Sequence, residues 1–243
     1  MNHGMGTGSG AVAHLRDILP QSLNLWADPV PRTGYFNMAA DELLSRRGEA
    51  WLRIYRWARP AVSYGYFDTR ATAESLFPGA AEYIRRWTGG GIVDHRSGYT
   101  YTLTLPAGAV YPEAAVLYHL IHGALAQALS EHGVPCRLLC TDAPDGGRAC
   151  WASPVADDIT DPAGHKLAGA GQRRRQGAVL HQGLVQNCTP TPGWEERFAA
   201  LLCPELQYHA AEEPFPGFTA AAQELCRSKY EAPDWADESH GRR

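Results

Sequence analysis

Between residues 99 and 132 a strand-like stretch, YTYTLTL, stops at Pro106 and gives way to a helix-like one running from about Pro112 to His132, with Leu117, Ile121, Leu125 and Ala128 at helical spacing. This junction constrains the fold most, because β-branched and aromatic alternation does not suit a helix and a three-to-four spacing does not suit a strand. The same two patterns recur elsewhere, out of rhythm. NMAADELLSRR, from Asn37, reads as a short amphipathic helix with Asn37 as its N-cap. WLRIYRW, at 51–57, alternates with Leu52 and Ile54 opposite Arg53 and Tyr55, and Pro60 punctuates it. RLLC at 137–140 and GAVLHQGLVQ at 177–186 read as strands, the stretches at about 194–202 and 219–230 as helices, and 142–149 as a polar Gly/Pro loop. Strands and helices mixed without a regular βαβ repeat imply an α+β domain, a sheet packed by several helices.

A chain of 243 residues buries a core without disulfide or metal support. Residues 1–20 are Gly-rich and aperiodic and read as a flexible lead-in, leaving 21–243 as a single domain. Lys plus Arg number 22 against 26 Asp plus Glu, a formal charge of -4, so no overall cationic field recruits nucleic acid or an anionic membrane. No run of 18 apolar residues occurs, and the N-terminus lacks a charged segment followed by an apolar one, which makes a cytoplasmic protein the expectation. The cysteines at 136, 140, 150, 188, 203 and 226 form no CxxC pair, so no metal site or disulfide framework is signalled, and most are expected to be reduced core thiols.

Three stretches bear chemistry. RRWTGGGIVDH, at 85–95, sets Gly89, Gly90 and Gly91 beside Arg85 and Arg86. Glycines permit close backbone approach and successive N–H groups can cup an anion, while a plain loop turn explains the same residues equally well. The spacing is neither GxxxxGK[ST] nor GxGxxG. GHKLAGAGQRRRQGAVLHQG, at 164–183, places Lys166 before the small residues Ala168 to Gly171 and the triple arginine 173–175 behind them. A lysine there is ordinarily a solvated charge, but small neighbours let a ligand lie along the backbone beside its ammonium. The triple arginine, in an acidic chain, reads as a solvated face. RACWASPVADDI, at 148–159, holds Cys150, which is either a small buried hydrophobe or, with a cation nearby to lower its pKa, a nucleophile.

In this order the stretches resemble the catalytic domain of lipoate-protein ligases and octanoyltransferases, related to biotin-protein ligases. The resemblance rests on NMAADE at 37–42, SYGYF at 63–67, RRWTGGGIVDH at 85–95 and HKLAGAGQRRRQGAVLHQG at 165–183, with RSKYEAPDW at 227–235 similar to a C-terminal motif of the transferase branch. It spans roughly residues 24 to 235. It implies a mixed, largely antiparallel sheet flanked by helices; many ligases also carry an accessory C-terminal domain, and with only about 60 residues after the HQG strand none is expected here, which favours transfer. It also implies attachment of an octanoyl or lipoyl group to a lysine of a lipoyl-accepting domain, such as a glycine cleavage H protein or a dehydrogenase E2 subunit. By the same resemblance Lys166 contacts the acyl carbonyl. Arg85, Arg86, Thr88, Gly89, Gly90, Gly91, His95, Gly169, Ala170, His181 and Gly183 form the substrate site, with the glycine loop along an apolar acyl tunnel and no resident metal.

The branch within the family turns on Cys150. Ligases typically read GRND before the lysine, whereas one transferase branch carries a Cys-aromatic-xxP pattern and uses the cysteine as an acyl-thioester nucleophile; this chain reads CWASP. That resemblance implies an acyl-carrier protein as donor and no cofactor. The ligase alternative implies ATP, Mg²⁺ and an acyl-adenylate held by Arg85, Arg86 and the glycine loop. Departures from the family pattern are Asp68 where glutamine is frequent, the spread His181, Gln182 and Gly183 in place of an HG pair, and Asp157 and Asp158 in place of an aromatic-acid pair. Asp158 also matches the acid of GRND, so that position favours neither branch.

Overall fold

The structure is a computed structural model describing residues 18–140 and 154–237. In chain order its elements are β1 (Ser22–Ala27), α1 (Gly34–Ser45), β2 (Trp51–Tyr55), β3 (Ala61–Tyr64), α2 (Arg70–Leu76), β4 (Glu82–Arg85), β5 (Val93–Asp94), β6 (Tyr99–Leu105) and α3 (Ala114–Glu131). There follow β7 (Arg137–Leu138), β8 (Ile159–Thr160), β9 (Lys166–Arg175), β10 (Ala178–Val185), α4 (Trp194–Leu202), β11 (Glu205–His209), α5 (Phe218–Leu225), a π-helical turn (Cys226–Tyr230) and α6 (Pro233–Asp237).

The main sheet has the order β11-β1-β2-β6-β10-β9-β8-β7, and a smaller one the order β4-β3-β5. In the main sheet β1 pairs in parallel with β11 and β2, while neighbours from β2 through β7 run antiparallel. The expected α+β class and largely antiparallel sheet are therefore observed. Alternation explains the layers, because successive strand residues face opposite ways. Leu52 and Ile54 of β2 and Tyr101 and Leu103 of β6 join the core beneath α3 and α4. Trp26 and Trp51 join a second core beneath α1 and α5, with Phe36, Met38 and Phe218.

The start of α1 departs from the sequence reading. Thr33, not Asn37, caps it, its side chain accepting the Phe36 N–H at 3.3 Å. Asn37 lies one turn inside, fully buried, where its Oδ1 accepts from Arg53 at 2.7 Å. A tertiary partner, with no local signature, outcompetes the capping role. The last predicted helix is also divided, into α5 and the π turn, and the strand read at 137–140 shortens to β7. Among the described residues no helix is long and apolar enough to cross a membrane. Cys203 and Cys226 are buried thiols as expected, whereas Cys140 is exposed.

Candidate active site

Lys166 opens β9 and is buried. Its Nζ lies 2.6 Å from Asp158 Oδ2, a carboxylate that is itself fully buried. Asp158 is held in turn from two sides. Tyr118 of α3 donates its hydroxyl to Oδ1 at 2.6 Å, and the Val155 N–H donates to Oδ2 at 2.8 Å. The Tyr118 oxygen also accepts the Ala170 N–H at 2.9 Å, so one phenol ties the acid to the strand that carries the lysine. Burial, then the Asp158 charge, raises the Tyr118 pKa, keeping it a donor. Gly169 is required here. A Cβ at that position would stand 2.4 Å from Lys166 Cε, 2.5 Å from Nζ and 2.8 Å from Asp158 Oδ1, so any larger residue pushes the lysine end off its place beside Asp158. Lys166 is thus a built interior cation, not the solvated charge that a lysine after a glycine turn ordinarily is.

The glycine loop is pressed between two strands. A Cβ on Gly65 would lie 2.0 Å from the Gly90 carbonyl oxygen, and one on Gly171 would lie 2.5 Å from the Gly89 carbonyl oxygen. Gly90 adopts φ +94, a left-handed conformation that glycine alone takes without strain. Arg86 holds the loop from inside, donating to the Gly89 and Gly91 carbonyls at 3.2 and 2.8 Å and to Ser63 Oγ at 2.7 Å. Thr88 donates to Gln182 Oε1 at 2.9 Å, and Gln182 donates to Asp41 at 2.7 Å. Asp41 also accepts from Arg53, Tyr55 and Thr102, so the loop is braced through a buried polar cluster that reaches α1. Arg85 serves elsewhere, donating to the carbonyls of Tyr66, Trp235 and Ala236 and fastening the C-terminal segment to β4.

Between this loop, α1 and the sheet lies a narrow cavity of about 30 Å³. Its sheet wall crosses four strands, from Lys166 and Gly169 on β9 through Leu184 on β10 and Thr100 on β6 to Tyr55 on β2. Met38, Val93 and Gly90 face them, and Trp57 and His95, both against Thr100, close the end away from Lys166. The two rings stack with centroids 4.1 Å apart, and Trp57 Nε1 donates to Thr100 Oγ1 at 2.8 Å. Burial, reinforced by the Arg86 charge, holds the His95 pKa well below the ordinary histidine value. His95 is therefore a neutral ring at neutral pH, suited to an apolar wall.

The expected site residues divide accordingly. Lys166, Gly169, Ala170, Gly183, Gly90, Arg86 and His95 meet at the cavity. Arg85, Thr88, Gly89, Gly91 and His181 do not line it. His181 faces the opposite side of the sheet, in a chain with Tyr101 and His122. His122 Nδ1 lies 2.7 Å from the Asp157 carbonyl and so carries the proton, which makes Tyr101 the donor to His122 Nε2 at 3.0 Å. Tyr101 then accepts from His181 Nε2 at 3.1 Å. Burial lowers the pKa of both imidazoles, that of His122 to about 4. Gly183 lets the Tyr101 ring pass, since a Cβ there would stand 2.3 Å from it. Cys150 lies outside the described residues. Sequence reasoning left Asp158 undecided, met Gln182 only as a departure from the family pattern, and passed over Tyr118, Asp41 and Trp57. Asp41 was within reach, as the one acid inside an otherwise apolar AAD step of the helix pattern.

Residues 33–214 match the lipoyl protein ligase A/B catalytic domain. The chain belongs to this family. Among curated members it is 33% identical over 169 residues to the octanoyltransferase LipM of Symbiobacterium thermophilum, covering 63% of this chain and 61% of that one. To the octanoyltransferase LipM of Moorella thermoacetica it is 32% identical over 190 residues, covering 70% and 66%. The chain thus spans about three-fifths to two-thirds of the length of these relatives. Solved structures share the fold. The lipoate-protein ligase A bound with ATP superposes with a TM-score of 0.62 at 18% identity, over 88% of this chain and 98% of that one. The bi-partite lipoate protein ligase of Thermoplasma acidophilum gives 0.61 at 18% identity, over 93% and 98%.

Proposed function

We propose that the chain transfers an octanoyl group from an acyl-carrier thioester to the ε-amine of a lysine on a lipoyl-accepting domain. The observation that supports this best is the cavity itself, apolar along its length and bearing at one end a buried lysine fixed by an acid and a strand of small residues. The relatives named octanoyltransferase support the same reading.

The reaction proceeds in two exchanges. The Cys150 thiolate attacks the carrier thioester carbon, the carrier thiolate leaves and takes up a proton, and the acyl group rests on Cys150 Sγ. The acceptor amine then attacks that carbon and loses a proton, an amide forms, and the Cys150 thiolate is regenerated. Thioester and acyl-enzyme have similar energies, so neither ATP nor a metal is required, and the carrier donor places the reaction in the cytoplasm. Lys166 directs its ammonium at the carbonyl oxygen as it gains charge, a contribution of about 3 kcal/mol for a fixed donor. Asp158 and Tyr118 keep that ammonium in place. Arg85 and Arg86 donate to backbone carbonyls and Ser63, which suits transfer better than the ligase alternative, where they would hold an adenylate phosphate.

The test is the acceptor's mass. With octanoyl-carrier protein and a glycine cleavage H protein or E2 lipoyl domain, and no ATP, the acceptor gains one octanoyl group. Modification that requires free octanoate, Mg²⁺ and ATP, with release of AMP, would overturn the transferase reading in favour of the ligase.

A further inference from the structure

The stretch RSKYEAPDW contributes nothing to the cavity wall, yet it packs on the chain just before the glycine loop. Arg85 Nε donates to the Trp235 carbonyl at 2.8 Å, and Trp235 Nε1 donates to the Arg85 carbonyl at 3.4 Å. Lys229, in the π turn, completes the contact: its Nζ lies 3.9 Å from the Trp87 ring centroid and 4.1 Å from that of Trp235. The same Nζ donates to Glu42 Oε2 at 2.7 Å. Glu42 is fully buried on α1, where it also accepts from Arg46 and, at 2.6 Å, from the Tyr230 hydroxyl. Trp87 stands directly before Thr88 and the three glycines. Two indoles draw a cation to their faces, so one ammonium ties the stem of the glycine loop to both α1 and the C-terminal segment. The triple arginine, expected to form a solvated face, divides at the same stem. Arg174 and Arg175 are exposed, whereas Arg173 lies 4.6 Å from the Trp87 centroid and donates to the Trp87 carbonyl at 3.1 Å.

Resting on the transferase reading, we propose that Lys229 is a positioning residue for the reaction: its ammonium, clasped by Trp87, Trp235 and Glu42, sets the glycine loop against the acyl chain. Arg86 holds the loop from the cavity side, and Lys229 holds its stem from outside the cavity. Packing alone does not call for a charge at this place, because an uncharged chain of the same length fills the space between two indoles. A charge is what engages the rings and the carboxylate together. The ionisable groups around it are Glu42 and Arg46 from α1, Arg173 from β9 and Tyr230 from its own turn. Burial pulls the Lys229 pKa down to about 8, although Glu42 pushes it the other way. The clasp is therefore charged at neutral pH and loosens above pH 8. A loop set wrongly loses contact along the acyl tail, so its cost grows with the length of the chain.

The experiment compares octanoyl- and butanoyl-carrier protein as donors to the full chain carrying Lys229→Met or Lys229→Arg. Methionine keeps the bulk without the charge, and Glu42 retains Arg46 and Tyr230, so no buried carboxylate is stranded. At pH 7, Lys229→Met lowers kcat/KM about tenfold for the octanoyl donor and about threefold or less for the butanoyl donor. Its melting temperature stays within a few degrees of wild type, while hydrogen–deuterium exchange quickens at residues 86–93. Arginine stays charged and stacks on indoles, so Lys229→Arg restores octanoyl transfer at pH 7, and its kcat/KM relative to wild type rises between pH 7 and 9.5. Equal losses with both donors, or unchanged turnover and exchange in Lys229→Met, would overturn the proposal. If Lys229→Met fails to fold, the pH dependence of Lys229→Arg relative to wild type decides: a rise supports the clasp and a flat ratio overturns it. Quickened exchange at the loop in a protein whose wild type uses neither donor would leave the clasp standing and overturn the transferase reading.

Discussion

Trp57→Ala lengthens the acyl chain the cavity accepts, by an amount the sheet geometry sets. From β9 to β2 the cavity crosses three strand intervals, about 14 Å at about 4.8 Å each. An extended octanoyl chain, at about 1.25 Å per carbon, covers about 9 Å, and the remaining ~5 Å is taken up by the Lys166 ammonium and the thickness of the end wall. The Trp57 indole forms that wall with His95. Truncation to alanine removes about 5 Å of side chain, room for about four more methylenes. Each buried methylene contributes about 0.8 kcal/mol, so the dodecanoyl-to-octanoyl ratio of kcat/KM rises by at most ~3 kcal/mol, or roughly 200-fold. The lost His95 stack and Thr100 hydrogen bond cost about 3 kcal/mol of stability, so the variant is assayed well below its melting transition. The assay is kcat/KM for thioesters from six to fourteen carbons. An optimum that stays at eight carbons in a folded Trp57→Ala protein would refute the assignment of this end of the cavity to the acyl tail.

Other substitutions test the supports of the site. Lys166→Ala abolishes transfer and also strands the Asp158 carboxylate in the interior, at about 3 kcal/mol of stability, so it melts earlier than Lys166→Ala/Asp158→Asn, which is equally inactive; equal melting of the two would contradict the buried pair. Gly171→Ala, whose Cβ would meet the Gly89 carbonyl oxygen at 2.5 Å, displaces the glycine loop and lowers kcat/KM by at least tenfold while leaving the melting temperature within a few degrees of wild type. Asp41→Ala removes the acceptor shared by Arg53, Tyr55, Thr102 and Gln182 and costs about 3 to 5 kcal/mol in urea denaturation. His122 gives a pH signature: its folded pKa of about 4 lies below its unfolded value of 6.5, so the unfolded chain binds the extra proton first and stability falls as pH drops from 6.5 to 4. That loss approaches ~3 kcal/mol, and His122→Asn, which cannot charge, reduces the slope in that window by its share, leaving the part due to the buried His95 and His181.

The long elements were legible because their periodicity is strong. YTYTLTL and the helix at 112–132 fold as their patterns read, the strand buried on both of its faces. β9 was hidden because KLAGAGQRRR holds small and charged residues with low strand propensity, and pairing with β10 overrides that propensity. β1 and β11 pair in parallel across some 180 residues of chain, a contact that no local pattern encodes. The site shows the same division. Lys166 and the glycines stood out because their residue types are unusual in those settings, whereas Asp158 meets Lys166 only through the turn and bulged pairing of β8 with β9. The three glycines that looked like an anion cradle are instead the places where Gly65 and Gly171 backbone and the Arg86 guanidinium press in. Of the arginines before them, Arg85 works against carbonyls about 150 residues away, while Arg86 holds the loop's own carbonyls.

The central claim is that the acyl group passes through Cys150, and the intact mass of the protein tests it most directly. After incubation with octanoyl-carrier protein and no acceptor, the wild type gains one octanoyl group that hydroxylamine removes, and Cys150→Ala gains none. An unmodified wild type, or an adduct that persists in Cys150→Ala, would contradict the account.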